Sequence, residues 1–388
     1  MKLLFTVEFY EPSKGGAQEV VKQLSERLAR RGHAVTVATS SDPRRKEQIL
    51  NGVAVRGFDV RGNAVKGISG AREDYLRFIR EFEFDVIFNY AAQTWTTDLV
   101  LPELGRMRAK KILAPLGYSR LHHRRYREYF RQLPRYLVNY DRLVYTSARY
   151  QDKEFGDTHG LEGKAVIIPN GASQEEFERA TPGFKSKHGI ETPCLFLMVS
   201  NHYFDKGHLF VLKAFRRFQN KDCTLVVIGE RPHRHGWYSC FPLCRMNEKL
   251  DRRVVLFSGL SRDDVVAAYR EADLFLFGSE VECSPLVMYE SFASRTPLVT
   301  TAVGNVRDHE AYVRVVQTPE QMRSEMEEFT RDPGRYRLLA QQAHRVFLEH
   351  HSWERIAQMY ERLFLELVTD DSTRSSMAGH DSQEPSQG

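Results

Sequence analysis

Residues 2–39 read KLLFTVEFYEPSKGGAQEVVKQLSERLARRGHAVTVAT. The run KLLFTV (2–7) is apolar, the loop EPSKGGAQ (11–18) carries two adjacent glycines, and HAVTVAT (33–39) is apolar and β-branched again. Between them Val20, Val21, Leu24 and Leu28 recur at helical spacing, one apolar face on an otherwise polar segment. Strand, glycine loop, helix and strand in this order begin a parallel, doubly wound sheet.

The same alternation continues outward. FDVIFNY (84–90), KKILAPLG (110–117), RLVYTS (142–147) and KAVIIPNG (164–171) extend the first set of strands. CLFLMVS (194–200), CTLVVIG (223–229), RVVLFSG (253–259), DLFLFGS (273–279) and PLVTTAV (297–303) form a second, with helical segments such as GHLFVLKAFRRFQ and RDDVVAAYREA between them. Residues 169–193 have proline, glycine and charge but little apolar periodicity and read as a linker. The expected organisation is a first Rossmann-like domain over 1–175, a second over 190–350, a helix over 351–368 with Ser352 as N-cap, and a disordered tail over 369–388.

The totals set limits on the function. At 388 residues, 41% apolar and 28% charged, the chain has the make-up of a globular protein of two ordinary domains. No window approaches the ~20 apolar residues of a membrane-spanning helix, and the first strand follows Met1 without a leader pattern, so a cytoplasmic protein is expected. Five cysteines without framework spacing are expected to be reduced. Residues 1–180 carry 30 Lys and Arg against 23 Asp and Glu, the remainder 26 against 28, which points to an anionic partner for the first half.

In the second set, EVECSPLVMYES (280–291) places Glu282 in a loop after a strand and Glu290 on the helix that follows, with Ser284 read as N-cap and Pro285 as first-turn residue. Backbone N–H groups of Leu286 and Val287 at that helix start suit a phosphate. A carboxylate accepts two hydrogen bonds at once, which matches a vicinal diol. The same pattern also fits an exposed loop acid and a solvated helix glutamate.

Longer stretches resolve the choice. SEVECSPLVMYESFASRTPLVTT (279–301) resembles the Glu, seven residues, Glu motif of the family-4 retaining glycosyltransferases. EPSKGGAQEVVKQLSERLARRGHAVTVAT (11–39), VIIPNGASQEEF (166–177) and VSNHYFDKGHLFVLKAF (199–215) resemble that family's amino-terminal signature, interdomain segment and donor-phosphate loop. The likeness spans roughly residues 1–368 in family order. It implies an α/β GT-B fold, two Rossmann-like doubly wound domains facing across a cleft, with the last helix returning to the first domain.

It further implies a transferase that moves a sugar from a nucleoside diphosphate to a glycan or lipid-linked acceptor with retained anomeric configuration, and needs no metal or other cofactor. Glu290 would bind the nucleotide ribose and Glu282 the transferred sugar, with Ser284, Leu286 and Val287 along the pyrophosphate. Lys206 would stabilise the leaving group, whose charge grows as the glycosidic bond breaks. Gly229 and Leu260 lie where the base would be read, and Gly15 and Gly16 would let the first loop approach donor or acceptor.

Departures are visible as well. Asn201 stands where the family usually has an arginine, with His202 as a potential substitute; Leu116 and Gly117 stand where it often has a histidine; and Asp308 lies near a common glutamate. Two other readings of the same fold stay open: a non-catalytic sugar-nucleotide binder and a sugar-nucleotide epimerase.

Two further constellations stand apart. SRLHHRRYREYFRQLPRYL (119–137) sets Arg120, Arg124, Arg125, Arg127, Arg131 and Arg135 among Tyr126, Tyr129, Phe130 and Leu133, and is read as a basic amphipathic segment for an anionic membrane surface. That would bring the enzyme to the inner face of the plasma membrane as a peripheral protein, for polysaccharide or lipopolysaccharide synthesis. Nucleic acid is not expected, since no binding module accompanies the arginines. His233, His235, Cys240 and Cys244 lack paired zinc spacing, and Cys240 and Cys244 at i, i+4 suit a packed helix face, so no metal is expected there either.

Overall fold

The structure, a computed structural model, describes residues 1–231 and 239–378, with side chains described to 369. The chain forms two compact units, one of Met1–Pro169 with the chain from Glu354 onward, the other of Asn170–Trp353.

In the first unit the strands are β1 (Lys2–Thr6), β2 (Ala34–Ser40), β3 (Ile49–Leu50), β4 (Val53–Phe58), β5 (Val60–Asn63), β6 (Gly67–Gly70), β7 (Val86–Tyr90), β8 (Lys110–Ala114), β9 (Arg142–Tyr145) and β10 (Ala165–Ile167). Eight of them form one sheet in the order β10-β9-β8-β7-β1-β2-β4-β3, parallel except where β3 meets β4; β5 and β6 make a separate hairpin. The second unit has β11 (Cys194–Val199), β12 (Cys223–Ile228), β13 (Val254–Phe257), β14 (Leu274–Phe277), β15 (Leu298–Thr301) and β16 (Arg314–Val316), all parallel, in the order β13-β12-β11-β14-β15-β16.

The central strands are apolar on both faces because helices cover both faces of a parallel sheet. β7 and β12 are buried along their whole length. In each sheet the strand order reverses direction at one place, between β1 and β7 in the first and between β11 and β14 in the second. Loops diverge there at the carboxyl ends of the strands and leave a crevice, so this is where such sheets hold ligands.

Two expectations need correction. Residues 170–193 are no linker: Ser173 caps the helix Gln174–Arg179, and Phe177 and Phe184 are buried in the core of the second unit. Two isolated aromatics anchor this stretch, which is why no periodicity marked it. The final helix runs Trp353–Ala378, ten residues into the stretch read as a disordered tail, while 379–388 lie outside the described residues. From Glu354 that helix belongs to the first unit, where the Phe364 ring lies 6.2 Å from Phe5 and 5.9 Å from Phe88. Among the described residues no helix is long and apolar enough to cross a membrane.

Candidate functional site

The loops after β11 and β14 flank the reversal point of the second sheet and are laced together. Glu280 N–H donates to Asp205 carbonyl at 2.8 Å, and Ser279 Oγ lies 3.0 Å from the same carbonyl oxygen. Gly207 has φ of 70°, and a Cβ there would sit 1.8 Å from the Gly278 carbonyl oxygen, so only glycine lets the two loops meet.

This lacing presents the charged pair. Lys206 Nζ donates to Glu282 Oε1 at 2.8 Å, and Ser279 Oγ donates to the same oxygen at 3.0 Å. Both partners are half-buried, so the pair is screened less than a surface ion pair. The lysine stands ready for anionic oxygens, and the carboxylate is oriented to accept from hydroxyl groups.

The helix Leu286–Ser294 starts on the same loop. Its cap is Pro285, in extended conformation and without a side-chain cap bond. Ser284 is therefore not the N-cap; its hydroxyl lies 3.5 Å from Tyr289 Oη, and its carbonyl accepts from Asn170 Nδ2 at 3.0 Å. A helix start without a capping side chain keeps the positive end of its dipole for a ligand, beside Leu286 and Val287.

Glu290, on the inner face of this helix, is only 8% exposed, and its Oε1 lies 2.6 Å from Arg262 Nη1. Arg262 Nε also donates to Glu176 Oε2 at 2.9 Å. Burial with a cation partner excludes the solvated-glutamate reading of Glu290. The Tyr269 phenol is held neutral well beyond its usual range, first by burial and then by the Glu290 charge.

Other expected contacts fall elsewhere. Asn201 Oδ1 accepts from Glu230 N–H at 3.2 Å, so it braces the loop instead of replacing the family's arginine. His202 is fully buried with its ring stacked on His208, and it cannot supply the missing charge to a ligand. Gly229 is in place at the end of β12, where a Cβ would lie 1.9 Å from the Ser200 carbonyl oxygen, but its N–H and C=O are engaged by Phe257 and Ser258. The Gly259 N–H is likewise taken by Glu230, and Leu260 packs partly against the core.

Gly15 and Gly16 open the helix Gly16–Arg30 of the first unit. Gly15 is extended, with φ of 171°, and a Cβ on Gly16 would meet nothing within 4 Å. The fold itself does not demand glycine at either place.

With this geometry in view, comparison with known proteins is direct. The family model "Glycosyltransferase Family 4" matches residues 14–176, and "Glycosyl transferases group 1" matches 181–346. The chain belongs to the family-4 glycosyltransferases. This glycosyltransferase is 25% identical over 328 residues to the alpha-monoglucosyldiacylglycerol synthase of Streptococcus pneumoniae, covering 76% of this chain and 70% of that one. Among solved structures, sucrose-phosphate synthase from Thermosynechococcus elongatus superposes with a TM-score of 0.77 at 17% identity, over 95% of this chain and 99% of that one. Anabaena Alr3699/HepE in complex with UDP-glucose gives 0.76 at 15%, over 95% and 100%. The glycosyltransferase thus has the GT-B fold.

Sequence reasoning missed Arg262 and Ser279, the partners of Glu290 and Glu282, because neither contact follows a local period. It also missed two acids of the first unit near the reversal point of its sheet. Glu8, just after β1, is pushed up to about 7 by burial, against the pull of Lys66. Asp98, in the helix Trp95–Asp98 after β7, is pushed up to about 6 by burial while accepting from Ala64 N–H at 2.8 Å and Tyr129 Oη at 2.9 Å. Nearby, Leu116, Gly117 and Tyr118 take three consecutive positive φ values at the end of β8, held by Asp152 and Gln151. Strain of this kind gathers where a scaffold shapes a site.

The arginine-rich segment requires a correction. Its arginines are exposed, but Tyr126, Phe130 and Leu133 are buried in the core of the first unit and Tyr129 packs against it. No apolar face is left to enter a bilayer, so what remains is a basic surface.

Proposed function

We propose that this glycosyltransferase takes a hexose from a nucleoside diphosphate donor bound to its second unit and passes it, with retention, to a glycan or lipid-linked acceptor. The C1–O bond to the diphosphate breaks and a bond from C1 to an acceptor oxygen forms on the same face, while the acceptor proton passes to the departing phosphate. Lys206 and the start of the helix Leu286–Ser294 stabilise the charge that gathers on the diphosphate. Glu282 accepts from hydroxyls of the sugar, and Glu290, held by Arg262, accepts from the ribose. Gly16, where a side chain would meet nothing, leaves open space in which the first unit's loop, with Gly15 beside it, approaches donor or acceptor.

One observation carries the reading: the lysine–glutamate pair stands beside a helix start without a capping side chain, at the reversal point of a parallel sheet. The UDP-glucose in the Anabaena neighbour favours a nucleoside diphosphate sugar, and the name of the Streptococcus relative favours a lipid acceptor. A cytoplasmic protein peripheral to the inner face of the plasma membrane, serving cell-surface polysaccharide or lipopolysaccharide synthesis, fits both. The exposed arginines of 119–137 would then attract the anionic surface electrostatically.

A screen of nucleoside diphosphates for thermal stabilisation tests the donor assignment, since a ligand of the folded state raises its apparent stability. A diphosphate that stabilises the wild type and not Glu290→Ala supports it. Equal stabilisation of both removes the ribose role. Sedimentation with anionic vesicles tests the surface: binding that falls with salt and with Arg124, Arg125 and Arg127 changed to Ser supports it, and binding indifferent to both ends it.

A further inference from the structure

Behind the donor loop lies a group of side chains that the transfer chemistry does not use. One nitrogen each of His202 and His208 and the Cys240 sulfur lie within 4.8 Å of one another, and all three residues are buried. His202 follows β11, His208 opens the helix His208–Arg217 directly after Lys206 and Gly207, and Cys240 precedes the helix Phe241–Leu250. Cys244, one turn into that helix, puts its sulfur 3.8 Å from that of Cys240. All four side chains are shielded from water.

The hydrogen bonds leave the imidazoles unsatisfied. His208 Nε2 lies 3.1 Å from the Ser200 carbonyl, which can only accept, so the ring proton is on Nε2 and the lone pair is on Nδ1. That Nδ1 has no hydrogen-bond partner, and a buried polar atom left unpaired is costly. A ring N–H held by a carbonyl while the opposite nitrogen stays bare is the arrangement of a metal-bound histidine. His202 Nδ1 is 3.8 Å from the Cys240 sulfur. In tetrahedral zinc, with bonds of about 2.0–2.1 Å to nitrogen and about 2.3 Å to sulfur, neighbouring ligands are about 3.6 Å apart for N···S and about 3.8 Å for S···S.

We propose that His202, His208, Cys240 and Cys244 hold one zinc ion, a structural site that ties the loop bearing Asn201 and Lys206 to the start of the helix Phe241–Leu250. Two nitrogens and two sulfurs form a closed tetrahedral set with no position for substrate, so the ion takes no part in the transfer. Binding displaces the thiol protons, and the ion's charge is balanced by two thiolates. His233 and His235 lie outside the described residues.

The test is zinc content by mass spectrometry of the full chain purified without a metal column, followed by cobalt(II) uptake after stripping. About one zinc per chain is expected in the wild type and in Cys194→Ser, against less than about a tenth in Cys240→Ser and His208→Gln. Cobalt should give a thiolate charge-transfer band in the wild type that falls in Cys240→Ser and in Cys244→Ser. Wild-type protein that retains no transition metal, or that takes up cobalt without this band, overturns the proposal without depending on any variant's folding. Lys206→Ala should keep its zinc while losing turnover, so the fate of this site and that of the proposed chemistry are read separately.

Discussion

Both sheets reverse their strand order once, and acids stand near both places, but the acids live in different surroundings. In the second unit Glu282 and Glu290 each face a cation, Lys206 and Arg262. In the first, Glu8 and Asp98 are pushed up to about 7 and about 6 by burial, and Asp98 is held by a neutral phenol and a backbone amide. The same architecture therefore offers carboxylates matched by cations in one unit and carboxyls whose ionisation burial opposes in the other. The first suits a polyanion that brings its own charge, and the second suits hydroxyl groups.

The contrast is most easily broken at Lys206. Lys206→Ala should lower kcat by 10²–10³, about 3–4 kcal/mol, with a smaller change in donor KM, because the charge it meets grows in the transition state. A KM effect alone would make it a binding residue. In the first unit the sign follows from the raised carboxyl. The unfolded chain ionises Glu8 near 4.5 and the folded chain near 7, so stability is greatest below that window and falls as pH rises through it. Glu8→Gln should remove the fall, gaining on the order of 2–3 kcal/mol over wild type at pH 8 relative to pH 4, read from denaturant midpoints at the two values.

Third in size, Glu290→Ala should weaken nucleoside diphosphate binding about tenfold or more, measured by calorimetry. Arg262→Met should do nearly as much, because it strands a buried carboxylate. The smallest effect sharpens the first unit: Tyr129→Phe removes a neutral donor to Asp98, costs about 1 kcal/mol and raises the carboxyl further, visible as a later titration of Asp98 by NMR.

How far the sequence reached follows the same physics. The central strands were legible because burial on both faces leaves an unbroken apolar run, as in CTLVVI and LFLF. β4 was missed because VAVRGF carries an arginine and a glycine, and the β5–β6 hairpin because VRGN and GISG have little apolar content. Glu282, Glu290 and Lys206 stood in recognisable stretches, and the structure brings Lys206 and Glu282 together across 76 positions. Arg262, Ser279 and the facing of His202 with Cys240 depend on which loops meet, and no period in the sequence encodes that.

The route of the chain carries a consequence for biosynthesis. The first unit pauses at Pro169 and resumes only at Glu354, where Glu354 and Glu361 meet Arg27 and Arg31 and Phe364 closes over Phe5 and Phe88. On the ribosome the second unit therefore emerges whole while the earlier one still waits for its closing helix, so the half translated first is the last to be finished.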